Sequence, residues 1–227
     1  MKHPTPVASD RIDFLSLLAE PKRNQLLEGS RRVRYPAGSL AYAPGESDYA
    51  VIVGRGLIRL YVGSKSGRQA TVHYIHPGEL MSLGIASRPS IDVHVQAVTD
   101  TMVTSLDLNL LRHHASVDVE LSAALWAYMA ALEANSTRII AVRSLGDITE
   151  RLAFDLLDRA CASQLESGEL MVQATQQQLA DSIGSVREVI ARTLRKLRDD
   201  RIITTAPNCV RVVDVRLLEN ILTRALI

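Results

Sequence analysis

Two short amphipathic segments separated by a glycine occupy residues 175–201, TQQQLADSIGSVREVIARTLRKLRDDR. Each begins with a capping box, in which Ser or Thr is followed three residues later by Glu or Gln: Thr175 with Gln178, and Ser185 with Glu188. Gly184 lies between them, where a tight turn favours a residue that tolerates positive φ. The pattern predicts two helices joined by a short turn, with Ser185 capping the second.

The second segment divides into an apolar face and a charged face. Its apolar residues recur at helical spacing: Val189, Ile190, Leu194 and Leu197. The other face carries Arg187, Glu188, Arg192, Arg195, Lys196 and Arg198. Such a pair is typical of a helix-turn-helix, whose second helix enters the major groove of DNA. The alternative at this point is an ordinary helix pair with a solvated charged face.

The residues after the helix pair predict a β-hairpin. Residues 202–205 and 210–213 are rich in β-branched side chains and flank a turn at Pro207-Asn208. Asp214 then precedes an apolar-periodic stretch and is a candidate helix cap. A helix-turn-helix followed by such a hairpin is a winged helix, which favours DNA binding over the ordinary helix pair.

The positive charge that a polyanion requires is local. The net charge of the chain is +1, but residues 187–201 contain six Lys or Arg against three acids. Cys161 and Cys209 are far apart in sequence, which excludes a disulfide framework and fits a reducing cytosol. With no signal peptide and no apolar run of membrane length, we expect a cytoplasmic protein that does not contact a membrane.

Residues 32–108 follow a different pattern. Short β-rich runs alternate with turns such as Pro36-Ala37-Gly38, Gly54-Arg55-Gly56 and Pro77-Gly78-Glu79. Many short strands at this spacing predict an antiparallel jelly roll, which either packs its interior or holds a small ligand. Residues 10–29 are expected to be helical and to pack outside the roll.

A heptad repeat indicates a long helix after the roll. Trp126 and Met129 lie beside the seam and are expected to pack on the roll, while a polar Asn on the seam favours self-association because it fixes register. The alternative is a helix buried within one chain. Residues 144–146 break the helix, and Asp147 with Glu150 forms a third capping box. The predicted seam comprises Leu121, Leu125, Tyr128, Leu132, Asn135, Ile139 and Val142.

The order of these parts resembles the cyclic-AMP receptor protein/fumarate–nitrate regulator (CRP/FNR) family of bacterial transcription factors. The resemblance is strong in TQQQLADSIGSVREVIARTLRKL and LGDITERLAFDLL and is architectural in the roll. It implies an α+β fold with an N-terminal cyclic-nucleotide-binding-like β-roll, a long dimerisation helix and a C-terminal winged helix-turn-helix. We expect these parts to cover residues 1–114, 115–145 and 146–227.

The resemblance carries the family's base-reading positions onto Arg187, Glu188 and Arg192. Independently, an arginine can fork onto guanine and a glutamate can accept from the amino group of cytosine. Glu188 has a second explanation, as the capping-box partner of Ser185. The fumarate–nitrate branch lacks an arginine at the position of Arg187 and has serine at that of Ala191, so a palindromic TGTGA-like site is implied. The candidate phosphate contacts are Thr175, Ser185, Arg195, Lys196 and Arg198.

The roll departs from the members that bind a cyclic nucleotide. Their Gly-Glu pair is matched by Gly78-Glu79-Leu80, but Ile91-Asp92-Val93 replaces the Arg-Ser pair that clamps the phosphate, and an acid repels a phosphate. Ser136 and Thr137 match the positions where the family places a Thr-Ser pair over the purine. The candidate pocket for a small effector other than cyclic AMP is therefore Gly78, Glu79, Leu80, Ser136 and Thr137; a protein without an effector is the alternative.

We expect no cofactor. The oxygen-sensing branch needs N-terminal cysteines for its iron–sulfur cluster, and this chain has none before Cys161. The haem-ligand position of the carbon-monoxide-sensing member falls near Gly84, so haem is not favoured either. The histidines of the roll, His73, His76 and His94, are expected to be structural or exposed.

A second class of function uses the same histidines in a cupin-type metal-binding enzyme or sensor with an appended helical domain. His73 and His76 are three residues apart, which on a strand points their side chains to opposite faces. The sequence also lacks a recognisable nucleophile and base arrangement. We therefore expect a regulator rather than an enzyme, with double-stranded DNA, a second copy of itself and RNA polymerase as partners.

Overall fold

The computed structural model describes residues 11–42, 49–64, 69–82 and 93–226. The described residues within 11–64 and 72–134 form one compact unit, here called the roll unit. Residues 69–71 and those from Asn135 onward belong to a second, here called the C-terminal unit. The predicted domain division at residues 114 and 145 stays a prediction.

The roll unit is built on two four-stranded sheets, ordered β1-β8-β3-β6 and β2-β7-β4-β5. Antiparallel pairing joins β3 to β8 from Tyr49↔Asp107 and β4 to β7 from Ile58↔Ala97. The antiparallel jelly roll predicted from the sequence is confirmed. The strands are β1 (Arg31–Tyr35), β2 (Leu40–Tyr42), β3 (Tyr49–Arg55), β4 (Ile58–Gly63), β5 (Gln69–Ile75), β6 (Leu80–Ser82), β7 (Val93–Ala97) and β8 (Thr101–Asp107).

The two faces of β3 belong to different cores because successive side chains of a strand point to opposite faces. Val51 and Val53 face the roll interior with Ile58, Val95 and Val103. On the other face, a helical layer covers the strand. The residues of this second core are Ala50, Ile52, Phe14, Leu18, Leu26, Leu106, Leu108, Leu111, Leu121, Ala124 and Tyr128.

The helical layer is less continuous than the helical segment expected over residues 10–29. The chain forms a 3₁₀ turn at Phe14–Leu17 and a separate helix α1 at Glu20–Leu27. Pro21 lies in the first turn of α1, the one place in a helix where its missing N–H costs nothing. Helix α2 at Leu108–Val117, begun by Asp107 as its cap, had no signal in our sequence analysis.

The long helix α3 spans Val119–Leu145, as the heptad repeat predicted. Its first half packs into the roll unit through Leu121, Ala124 and Tyr128. Its second half packs into the core of the C-terminal unit through Ile139 and Val142. No single helix in the described chain is long and apolar enough to cross a membrane, although α2 and α3 together, bent by 115°, meet that test of length and composition.

The C-terminal unit surrounds one apolar core with helices and a small sheet. Its order is α4 (Ile148–Ser167), β9 (Met171–Gln173), α5 (Gln176–Ile183), α6 (Arg187–Asp199), β10 (Ile203–Ala206), β11 (Cys209–Val212) and α7 (Val215–Leu226). The predicted hairpin is confirmed, and β9 adds an unpredicted third strand beside β11. The capping box of Asp147 with Glu150 forms, with N–H···O distances of 2.7 and 2.9 Å.

Candidate nucleic-acid interface and effector pocket

The turn between α5 and α6 forms as the sequence predicted. Thr175 Oγ1 accepts from the Gln178 N–H at 3.1 Å, and Gln178 Oε1 accepts from the Thr175 N–H at 2.8 Å. Gly184 ends α5 with φ of 69° and ψ of 41°, the left-handed region in which glycine is least strained. The Ser185 N–H then donates to Ala180 O at 2.9 Å, so the turn is closed by backbone bonds.

The start of α6 differs from the prediction. Val186 is its cap residue, extended at φ −116° and ψ 152°, and no side chain makes a capping bond there. The capping box expected between Ser185 and Glu188 is therefore wrong. The backbone stays extended for one more residue after the turn, which moves the helix start past Ser185. Glu188 is left exposed in the first helical turn, where the helix dipole favours an acid.

One face of α6 is held firmly in the core of the C-terminal unit. Ile190 is fully buried, and Leu194 and Leu197 pack beside it against Leu179 and Ile183 of α5. A helix fixed along one face presents the opposite face at a defined angle. All six predicted contact residues of α6 lie on that exposed face: Arg187, Glu188, Arg192, Arg195, Lys196 and Arg198.

These charged residues form two adjacent columns. Arg187, Arg195 and Arg198 line a cleft of about 600 Å³. Glu188 and Arg192, four residues apart, follow the next column of exposed positions along the helix. The three predicted base-reading residues thus share the first two turns of α6, but Arg187 faces the cleft with three of the predicted phosphate contacts, Thr175, Arg195 and Arg198.

The cleft has three walls. The beginning of α5 supplies Thr175, Gln176 and Gln177, and the turn between β10 and β11 supplies residues 205–208. Asn208 holds that turn with φ of 54°, a conformation that asparagine tolerates better than most residues. Sequence reasoning assigned Thr175 to this surface but missed the two glutamines and the hairpin tip, because only folding brings them beside α6.

The structure places the predicted seam of α3 largely inside the protein. Leu121, Tyr128, Ile139 and Val142 are buried within their own chain, and the other three seam residues are half-buried. Asn135 lies among these three, and its Oδ1 accepts from Arg138 Nη2 at 3.3 Å. The alternative of a helix covered within one chain therefore accounts for these four residues.

The opposite side of α3 is apolar and uncovered. The expectation that Trp126 and Met129 pack on the roll is wrong, since these side chains are 80% and 57% exposed. The inward positions are already filled by the seam residues, which leaves the other side of the helix to solvent. The exposed side chains that we call the outward stripe are Val119, Trp126, Met129 and Ile140.

Glu79 of the candidate effector pocket is buried and already engaged. Its Oε1 accepts from Arg11 Nη1 at 3.1 Å, and its Oε2 accepts from the backbone N–H of His76 at 2.9 Å. His73 Nε2 lies 3.7 Å from the same Oε2. Arg11 comes from the segment before the roll and had no sequence signal, since an isolated arginine near a terminus is usually a surface residue.

Leu80 is bound by the long helix. The Tyr128 hydroxyl donates to Leu80 O at 2.8 Å and accepts from the Leu80 N–H at 2.9 Å. Burial, and then the negative charge of Glu79, raise the pKa of the Tyr128 phenol, so it stays protonated and keeps donating.

The residues predicted for the effector pocket do not all belong to one unit. Ser136 and Thr137 belong to the C-terminal unit, whereas Gly78, Glu79 and Leu80 belong to the roll unit. Asp92 and Gly84, on which the arguments about phosphate and haem depend, lie outside the described residues.

The described histidines of the roll have different surroundings. His76 is buried, His73 faces Glu79, and His94 stacks on the Tyr61 ring with centroids 4.9 Å apart. Within the described ranges, no group of three or more His, Cys, Asp or Glu side chains is arranged to hold a metal ion.

Comparison with known proteins links this geometry to a family. Residues 150–221 match the family described as the Crp-like helix-turn-helix domain. The cAMP-activated global transcriptional regulator Vfr of Pseudomonas aeruginosa is 23% identical over 188 residues, covering 79% of this chain and 88% of Vfr. The nitrogen fixation regulation protein FixK of Rhizobium meliloti is 26% identical over 191 residues, covering 83% and 85%. Residues 150–221 are thus a Crp-like helix-turn-helix domain, and most of the chain is similar to transcription regulators of the CRP/FNR family.

Solved structures of CRP/FNR-family proteins share the fold of this chain. A CRP/FNR-family putative transcriptional regulator from Eubacterium rectale superposes with a TM-score of 0.68 at 16% identity, over 93% of this chain and 98% of that one. FixK2 from Bradyrhizobium japonicum superposes with a TM-score of 0.66 at 21% identity, over 85% of this chain and 96% of that one.

The relatives are regulators rather than enzymes, which agrees with the non-enzymatic function expected from the sequence.

Proposed function

We propose that this chain is a CRP/FNR regulator that binds as a homodimer to a palindromic DNA site with TGTGA-like half-sites. The observation that carries the proposal is the exposure of Arg187, Glu188 and Arg192 in the first two turns of a helix whose opposite face is buried. An arginine offers two donors to guanine O6 and N7, and a carboxylate accepts from cytosine N4. Without Ser185 as its capping partner, Glu188 is available for that contact.

The cleft beside α6 supports a role in phosphate binding. Arg195 and Arg198 line it together with Thr175 and the hairpin tip. Neutralising backbone phosphates releases counterions, so binding should weaken steeply as salt rises. We assign Ser185 and Lys196 to flanking phosphates as well.

The outward stripe supports the homodimer. A palindrome is read by two recognition helices about 34 Å apart, which requires two copies related by a twofold axis. Members of this family are typically dimeric, and an 80% exposed tryptophan on a long helix is costly to leave in water. We therefore revise the dimer contact from the predicted seam to the stripe of Trp126, Met129 and Ile140.

The other parts of the proposal concern the effector and the cell. The candidate contacts of a small effector within the roll unit stay Gly78, Glu79 and Leu80, and a protein without an effector stays the alternative. Cyclic AMP is not proposed, because Glu79 is already paired with Arg11. We propose RNA polymerase as a further partner, since a transcription regulator acts on transcription. We propose the cytoplasm as the location, since bacterial DNA is transcribed there.

The test is a fluorescence-anisotropy titration of the purified full chain against a palindromic TGTGA…TCACA duplex and a scrambled duplex of equal length. A parallel selection of bound sequences from a randomised duplex pool identifies the site without assuming a TGTGA-like half-site. We expect tight binding to the palindrome and a selected half-site close to TGTGA. Selection of a different half-site overturns the base assignment, and failure to select any sequence overturns the function.

A further inference from the structure

The turn at residues 78–80 is held from one side by the segment before the roll. Residues 11–14, here called the strap, cross it: Arg11 pairs with Glu79 at 3.1 Å, and the Phe14 N–H donates to Gly78 O at 2.9 Å. Asp13 packs so closely that a Cβ on Gly78 would lie 2.9 Å from its Cγ. The strap thus fits a turn that admits only glycine at that position.

The same turn is held from the other side by α3. The Tyr128 hydroxyl makes both a donor and an acceptor bond to Leu80. The Phe14 ring of the strap meets the Tyr128 ring edge-on, with centroids 5.5 Å apart and planes 74° apart. Strap, turn and long helix therefore meet in one buried cluster inside the roll unit.

We propose that the strap is a built-in ligand that locks the turn to the long helix, so that the regulator reaches its DNA-binding state without a small molecule. The inference rests on the proposed function. The Arg11 guanidinium binds the Glu79 carboxylate of the turn, as an external cation or hydrogen-bonding ligand would otherwise do. α3 continues without interruption from Tyr128 to Leu145, immediately before the proposed DNA-binding part of the chain. Anchoring α3 at Tyr128 is therefore a means of controlling DNA binding.

The physical basis is the cost of leaving the turn unbound. Glu79 is 6% exposed, and a buried carboxylate requires charge compensation, which Arg11 provides. A Tyr128→Phe change keeps the ring packing but removes both bonds to Leu80. Loss of the Arg11–Glu79 ion pair, or of the two Tyr128 hydrogen bonds, lowers the population of the locked state. The apparent DNA affinity then falls in proportion to that population.

The experiment compares the full chain with Arg11→Gln and Tyr128→Phe, using the duplex selected for the natural sequence and no added ligand. Arg34→Gln is the matched control, because Arg34 also pairs with an acid of the roll unit, Asp100, but is 70% exposed. We expect the natural chain to bind without ligand and to be unchanged by cyclic AMP. Both lock variants should bind about tenfold more weakly, and the control should match the natural chain.

Hydrogen–deuterium exchange in a peptide spanning residues 76–82 reports on the lock without DNA. Tyr128→Phe should speed exchange there, since the Leu80 amide loses its acceptor, while Arg34→Gln should not. Faster exchange with unchanged DNA affinity overturns the lock as a control element. Binding of the natural chain to the selected duplex only after cyclic AMP is added also overturns the lock. Failure of the natural chain to select any DNA sequence overturns the proposed function instead.

Discussion

The roles that we propose for single residues on α6 follow from their positions. Arg187 lies at the first helical position, beside the cleft, where it can reach either a base edge or a phosphate. Arg195 lies two turns further along the same wall. Base contacts determine sequence preference, while phosphate contacts raise affinity for every sequence. The two arginines can therefore be told apart by which property each substitution changes.

We predict that Arg187→Ala weakens binding to the best site by about 1–3 kcal/mol and relaxes selectivity at one base pair. Arg195→Ala, its control on the same face, should weaken selected and scrambled duplexes alike and reduce the slope of log affinity against log salt by about 1. Titrations of both variants over a series of single-base substitutions and salt concentrations make the comparison. If selectivity survives in Arg187→Ala, this arginine does not read a base.

The helix pair depends on one backbone conformation at its turn. Gly184 has φ of 69°, and beyond its immediate chain neighbours no atom lies within 4 Å of where a Cβ would be. A side chain there would meet conformational strain but no collision. The turn sets the direction in which α6 leaves α5, so strain at Gly184 affects the helix that carries the predicted base-reading residues.

We expect Gly184→Ala to lower the free energy of unfolding by about 1 kcal/mol, because alanine is disfavoured at positive φ. Gly184→Asn should cost less, since asparagine tolerates the left-handed region. Chemical denaturation followed by circular dichroism measures both changes. Equal stability of the alanine and asparagine variants would mean that the turn is not held at positive φ.

At the scale of the whole molecule, the outward stripe of α3 is an apolar surface that the fold of the described residues leaves exposed. The heptad seam that first suggested self-association is instead used inside the chain, where Leu121 and Tyr128 contact the roll core and Ile139 and Val142 contact the C-terminal core. A long helix can serve both purposes because its two sides are independent.

We predict that Trp126→Glu converts the protein from dimer to monomer and weakens binding to the palindrome, since a single recognition helix then reads one half-site. Leu110→Glu is the control, because Leu110 is another exposed apolar residue, 49% accessible, on helix α2. Analytical ultracentrifugation gives the mass of each variant. A Trp126→Glu protein that remains dimeric would return the dimer contact to another surface.

Local patterns predicted the elements of this protein well. Short β-rich runs between Gly or Pro turns predicted the strands of the roll, and the heptad repeat predicted α3, because both signals depend on residues close in sequence. The capping boxes at Thr175 and Asp147 formed, and the one at Ser185 did not. That failure is local too: a cap requires a particular backbone angle, which the preceding turn determined.

The sequence by itself thus determined the class of fold, the helix-turn-helix and the charged face of α6, since periodicity and residue type suffice for these. Only the tertiary structure decided which side of α3 is covered, which residues form the cleft beside α6, and that Arg11 pairs with Glu79. Each of these brings together residues distant in the chain. The packing of whole layers decides such contacts, and no local pattern records it.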